Sequence, residues 1–212
     1  DGSTPDDVAP ASNPTLYNWT HIGSGPGAAA ANPIGWNLRA GTAGTIANSI
    51  LVAQKAKGLE VQDKAAGIND AYSKLVGGEL KILNNLFYEI GSNTTLDASA
   101  TGIIRVSATA EDATASAVVT HLTDNKNKIA NPGIKSISRT ADKNLDPRPT
   151  SNDAVNKDLA TYPAGDNFFT NVNYKGAFPE FAAGFWVAGW TTLEKNGHLK
   201  DLISDEIVLI DD

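Results

Sequence analysis

Apolar and polar positions along this chain repeat in blocks. Leu16-Tyr17-Asn18-Trp19-Thr20-His21-Ile22 aligns with Ile46-Ala47-Asn48-Ser49-Ile50-Leu51-Val52 and with Ile82-Leu83-Asn84-Asn85-Leu86-Phe87-Tyr88, at offsets of 30 and 36 residues. Each block carries an aliphatic residue, an asparagine two places on, and a short run that is apolar in the second and third copies. A second block recurs in the same order, with Gly58–Asp63 following the glycine, apolar, polar, apolar pattern of Gly35–Ala40. Self-similarity at a spacing of 20–50 residues marks a solenoid. A chain that coils so that each turn lays a strand on the previous one, about 4.8 Å away, stacks equivalent residues directly. Aliphatic side chains then fill the interior. Asn18, Asn48 and Asn84 fall at corners, where asparagine tolerates a left-handed backbone, and their stacked amides form a ladder from rung to rung. The pattern predicts a mainly β protein: a right-handed parallel β-helix of few rungs, with an irregular, partly helical C-terminal cap.

The remaining segments fit around that coil. Residues 1–13 read as a linker or entry loop, 14–149 as the β-helix with loop and helix excursions, and 150–212 as a capping segment. Gly23–Ala31 is a flexible excursion, and 64–77 a surface loop with one helical turn. Gly102–Val106 is a short strand. Thr109 with Asp112 resembles a capping box, and Val118, Val119 and Leu122 form one apolar face, so a helix is predicted near 110–123. Ile134–Ser138 is predicted as the last strand of the coil, closed by Asp146-Pro147-Arg148-Pro149, because proline refuses both helix and ladder donation. Phe185–Asn196 is predicted as a terminal helix with Trp186, Trp190 and Leu193 on one face, ending at Gly197, and Ile207–Ile210 as a short final strand.

Composition narrows the partners. A hydrophobic fraction of 41% in 212 residues supports a packed core, and no apolar run is long enough for a transmembrane helix. A formal net charge of -7 argues against a nucleic-acid backbone as partner. There is no cysteine, so no disulfide or thiolate metal site, and no methionine, even at position 1. The start Asp1-Gly2-Ser3-Thr4-Pro5 reads as that of a processed product or a fragment. A solenoid needs a cap or a neighbour at each end, so the first rung is expected to meet either another protein chain or upstream rungs.

Candidate chemistry is sparse. The acids Glu60, Asp63, Asp70, Glu79, Glu89 and Asp97 are spread out, with no pair at the spacing glycoside cleavage needs, and read as solvated charge. His21, His121 and His198 show no metal spacing, and His21 occupies the rung position of Leu51 and Phe87, as a partly buried stacking residue. The acidic end, Asp201 to Asp212, lacks the spacing of a calcium loop. No metal or other cofactor is implied. Aromatic residues carry the remaining signal: Tyr174, Trp186 and Trp190 are candidates for binding a carbohydrate or a partner, set against a role in covering the coil's apolar end. Asn-x-Thr occurs at Asn18 and Asn93, a glycan-acceptor pattern in eukaryotes, but Asn18 belongs to the ladder.

Several linked pieces carry a family resemblance: Pro14–Gly23, Leu38–Thr42, Ser136–Thr140, Leu145–Pro149, and above all Tyr174-Lys175-Gly176-Ala177-Phe178 with Gly189-Trp190-Thr191 behind it. From Pro14 to Leu199 the chain resembles the C-terminal part of a family of bacterial secreted and cell-surface β-helix proteins found in Bacteroidetes-like and marine bacteria. The resemblance implies the β-helix fold and an extracellular or outer-surface address. It implies no reaction, and members longer at the N-terminus fit the reading of a fragment. The expectation is a non-catalytic structural or adhesive module, a fragment or subunit of a larger extracellular assembly. The alternative is a carbohydrate-active enzyme or a carbohydrate-binding accessory fragment.

Overall fold

The computed structural model describes residues 10–29, 33–64, 69–107, 112–165, 168–180 and 185–200. Three parallel sheets form the faces of a coil. The first holds β1 (Thr15–Tyr17), β4 (Gly44–Ala47) and β7 (Leu80–Leu83). The second stacks β2 (Thr20–Ile22), β5 (Ile50–Gln54), β8 (Leu86–Ile90) and β10 (Lys128–Ile129). The third stacks β3 (Ile34–Leu38), β6 (Lys57–Val61) and β9 (Ile104–Arg105). The chain visits the sheets in the order first, second, third on each turn, completing three rungs and beginning a fourth.

The register is the one the repeats predict. Leu16 pairs with Ile46 and Ile46 with Ile82; His21 pairs with Leu51 and Leu51 with Phe87; Trp36 pairs with Leu59. Ile46, Ile82, Leu51, Phe87, Trp36 and Leu59 of these columns, with Val61, Ile90, Ile103 and Ile104, make the main core, while Leu16 at the first rung is 39% exposed. Continuous apolar burial stabilises such a coil at roughly 25 cal/mol per Å² removed from water, and parallel strands buried on both faces read as unbroken apolar runs, as Ile50–Ala53 does.

At the far end the coil is closed by α2 (Asp112–Asp124), whose Val118 and Leu122 are buried in the main core with Phe87 and Ile82. The helix expected near 110–123 is therefore present and acts as the plug of the fourth rung. Its expected cap residue, Thr109, lies outside the described residues. The excursion after β6 forms α1 (Ala71–Val76), capped by the Asp70 side chain accepting from the Ser73 N–H.

The C-terminal part departs from expectation in three ways. First, the coil is followed by an antiparallel pair, β11 (Ile134–Ser136) with β12 (Asp146–Pro149), so the proline-rich segment is itself the last described strand. Its prolines are tolerated because β12 belongs to a two-stranded sheet and is paired there on one side only among the described residues. Second, the long helix predicted over Phe185–Asn196 is reduced to α4 (Thr192–Lys195), because Gly189 at φ 87° turns the chain after Trp186. Third, the C-terminal segment, which includes α3 (Asp153–Asn156), packs on the side of the coil. It covers the outer face of the second sheet, where Ile50, Val52 and Leu86 meet Val155, Ala154 and Tyr174 in a second core. The expected strand at 207–210 lies outside the described residues.

Candidate functional site

The asparagine column organises the side of the molecule. Asn18, Asn48 and Asn84 take φ of 55°, 49° and 56°, the left-handed corner that asparagine tolerates better than other side chains. They stand one above another at the turn from the first sheet to the second. Their amides, however, reach sideways to the C-terminal segment. Asn84 Nδ2 donates to the Asp158 carbonyl (2.8 Å), and Asn48 Nδ2 donates to the Ala160 carbonyl (3.0 Å) while its Oδ1 accepts from the Ala160 N–H (2.7 Å). Asn18 Nδ2 donates to the Tyr174 carbonyl (2.6 Å) and its Oδ1 accepts from the Tyr162 hydroxyl. Residues 158, 160 and 162 thus descend the column two residues per rung, as a strap stitched to each corner.

The rung-to-rung amide relay falls one residue later. Asn85 Oδ1 accepts from the Ser49 N–H (2.8 Å), and Asn127 Oδ1 accepts from both the Asn85 N–H (3.1 Å) and Asn85 Nδ2 (3.0 Å). Asn127 Nδ2 donates to the Ile82 carbonyl (2.8 Å). The reason is geometric. The first corner residue points away from the coil axis, whereas the second points into it, where a buried amide must be satisfied by its stacked neighbours.

The strap explains the Tyr-Lys-Gly-Ala-Phe run. Gly176, at φ 84°, donates its N–H to the Asn48 carbonyl (2.7 Å), and a Cβ there would come within 2.7 Å of Ile50 Cδ1 and Thr20 Oγ1. Ala177 N–H donates to Thr20 Oγ1 (2.9 Å), and Phe178 enters a third core with Leu145, Phe185, Val187 and Leu199. Lys175 is buried, its Nζ donating to the carbonyls of Ala154 and Lys157; desolvation holds its pKa down at about 8, against a raising influence from Asp158.

Between β11 and the outer face of the second sheet lies a cleft of about 720 Å³, lined in part by Tyr88, Glu89, Lys135, Ser136, Asp146 and Lys200. Asp146 is fixed by a buried bidentate pair with Arg148, at 2.9 Å from both Nε and Nη2, and the guanidinium sits 4.7 Å over the Phe185 ring. Glu89 is exposed and holds a left-handed φ of 52°. These residues come from segments far apart in the sequence, and no local motif announces them.

The three aromatic candidates separate. Tyr174 is half-buried against the second core, and burial raises its hydroxyl pKa. Trp186 and Trp190 are 53% and 69% exposed, so they do not cover an apolar end as a capping role requires. Trp186 stacks on Phe178 (5.5 Å, 19°), its Nε1 donates to the Ala177 carbonyl (2.9 Å), and Trp190 Nε1 donates to the Trp186 carbonyl (2.7 Å). The two indoles lie 6.3 Å apart at 30°.

The first rung carries its own aromatic cluster. Trp19 stacks on His21 (5.2 Å, 27°) and on Trp36 (5.8 Å, 15°), while Leu16 and Trp19 are each 39% exposed. His21 is half-buried, and desolvation lowers its pKa. The acids Glu60, Asp63 and Glu79 are committed locally: Glu60 to Ser107 (3.2 Å) and Arg105 (3.4 Å), Asp63 to Thr114, and Glu79 to Lys74 (2.8 Å). His121 Nε2 accepts from the Ile82 N–H (3.1 Å), and His198 Nδ1 lies 3.0 Å from the Thr140 carbonyl.

A three-faced coil of parallel strands, with stacked interior columns and left-handed corner asparagines, defines a parallel β-helix. Residues 1–139 match the pectate-lyase-like β-helix domain, and the chain belongs to that family. No curated protein and no solved structure matches it significantly. The strap, the third core and all of β12 to α4 lie beyond the matched residues.

Proposed function

We propose that this chain is a non-catalytic structural or adhesive β-helix module, secreted or displayed on a bacterial outer surface, and a fragment or subunit of a larger extracellular assembly. We also infer a right-handed coil, since crossovers between parallel strands of one sheet overwhelmingly take that hand. The observation that carries the adhesive reading is the fixed pair Trp186 and Trp190. Two indoles are held outward by hydrogen bonds from their own ring nitrogens, at the cost of leaving apolar area in water. Rings presented this way offer flat faces to the apolar faces of sugar rings. Affinity electrophoresis through soluble polysaccharides, with pull-down on insoluble ones, tests it. Trp186→Ala with Trp190→Ala should lose at least 10-fold in retention with an unchanged circular dichroism spectrum. Equal mobility of native and variant protein in every polymer would refute the adhesive reading.

The alternative, a carbohydrate-active enzyme or accessory fragment, is favoured by the lateral cleft, where Glu89 and two lysines share a lining with Tyr88. Reducing-end release from soluble polysaccharides, lost in Glu89→Gln, would establish it. Assembly through another chain at the first rung is supported by the exposed Leu16 and Trp19 and by strands β1, β2 and β3, each paired on one side among the described residues. A concentration-independent monomer in sedimentation would argue against self-assembly there.

A further inference from the structure

The two ends of the coil are finished differently. At the far end Val118 and Leu122 of α2 fill the core. Every edge strand there also carries an exposed basic side chain: Lys81 in β7, Arg105 in β9 and Lys128 in β10. Charge on an edge strand, lysine above all, is how natural sheets keep another strand from adding on. At the first rung β1, β2 and β3 contain no Asp, Glu, Lys, Arg or Pro. Tyr17 and His21 are neutral at pH 7, since burial raises the one pKa and lowers the other. Leu16 and Trp19 lie on this same rung, each 39% exposed.

The backbone at this rung is set to pair. The carbonyls of Pro14 and Trp19 and the N–H groups of Asn18 and Gly23 bond to the second rung. Successive residues of a strand turn to opposite neighbours, so the N–H and C=O groups of Thr15, Tyr17, Thr20 and Ile22 face the open side among the described residues. A head-to-tail neighbour would press its plug and its three basic residues onto these edges, so end-to-end repetition into a filament is blocked. Selection of an unlike partner is commonly written in charge, and these edges carry none. A second copy, meeting this one first rung to first rung, brings an equally uncharged edge. A twofold axis across the coil runs the strands antiparallel at the seam, a pairing that two free edges can make. One sheet then continues into its own copy while the other two exchange partners. Leu16 and Trp19 of both copies leave water together. We propose that the first rung is a homodimer interface, two copies joined head to head by strand pairing and closed at two. This dimer rests on the reading of the first rung as an assembly face and gives that face its partner.

The test is sedimentation equilibrium of the whole chain, with hydrogen exchange of backbone amides as a second readout. The chain should pass from monomer to dimer as concentration rises, with no larger species. In the dimer the amides of Thr15, Tyr17, Thr20 and Ile22 should exchange at least about 10-fold more slowly than in the monomer. Leu16→Lys, which sets like charges at the seam, should weaken the dimer at least about 10-fold. Thr15→Lys, at another exposed position of β1, should do the same if the first variant fails to fold. Lys81→Glu, at the far end, should leave the dimer unchanged. A dimer indifferent to both first-rung variants, or species growing beyond the dimer, would overturn the head-to-head contact. A monomer at all concentrations whose edge amides exchange freely would overturn the second copy alone and leave the edge to an unlike chain. A monomer with those amides protected would show that the chain covers its own edge, and would overturn the assembly reading as well.

Discussion

Lys175 is a costly side chain for the strap to bury. A pKa of about 8 against an ordinary value near 10.5 means that the folded chain gives up this proton more readily than the unfolded one. The penalty is therefore fully present below about pH 8 and is relieved as pH rises from there towards 10.5, amounting to on the order of 3 kcal/mol. Urea unfolding should show stability rising between pH 7.5 and 9.5, and Lys175→Met should remove that rise. An unchanged pH slope in the variant would mean that the charge is solvated in solution. Asn48 supplies the second prediction at this scale. Its left-handed backbone and its two bonds to Ala160 are separate contributions. Asn48→Gly should cost about 1–3 kcal/mol for the lost hydrogen bonds, and Asn48→Ala about 1 kcal/mol more for the strained φ. Equal denaturation midpoints for the two variants would show that strain is absent. Asparagine at a repeated corner was readable because its backbone preference is local. The destination of its amide was not, since Asp158, Ala160 and Tyr174 become neighbours only after the chain has closed on itself.

At the scale of elements, α2 shows what an inserted helix does in a solenoid. Its apolar stripe of Val118, Val119 and Leu122 was legible as helical spacing, yet nothing local says that the stripe plugs a coil. Leu122→Ala should cost about 2–5 kcal/mol, a large share of the stability of an ordinary domain, because the site is walled by β strands that cannot collapse onto the gap. A loss below 1 kcal/mol in urea unfolding would mean that the helix is loosely docked. The strands were read in the correct register because a stacked coil transfers its pairing directly into sequence spacing, 30 and 36 residues in the second sheet and 23 in the third. The terminal helix was over-read because Trp186, Trp190 and Leu193 have helical spacing, while the turn at Gly189 sets them on a surface. The cleft had no sequence signature at all: Tyr88, Lys135 and Lys200 come from a rung, a hairpin and the chain's last described segment.

For the whole molecule the strap changes how stability is distributed. Solenoids usually behave as stacks of nearly independent units, each held by its neighbours. Here the side chains of Asn18, Asn48 and Asn84 join partners 156, 112 and 74 residues away, so three successive rungs share one fastening. Unfolding should then be a single transition, with tryptophan fluorescence, which reports the first rung and the C-terminal segment, coinciding with far-ultraviolet dichroism, which reports the coil. A fluorescence midpoint clearly below the dichroism midpoint would show that the first rung or the C-terminal segment comes loose before the coil. The same fastening has a consequence for biosynthesis. Asn18 leaves the ribosome with its partner Tyr174 still unmade, and at ordinary elongation rates of about 5–20 residues per second that partner follows roughly 8–30 s later. Once Leu86 has followed, the greasy flank of Ile50, Val52 and Leu86 lies bare until Val155 and Tyr174 are made to cover it.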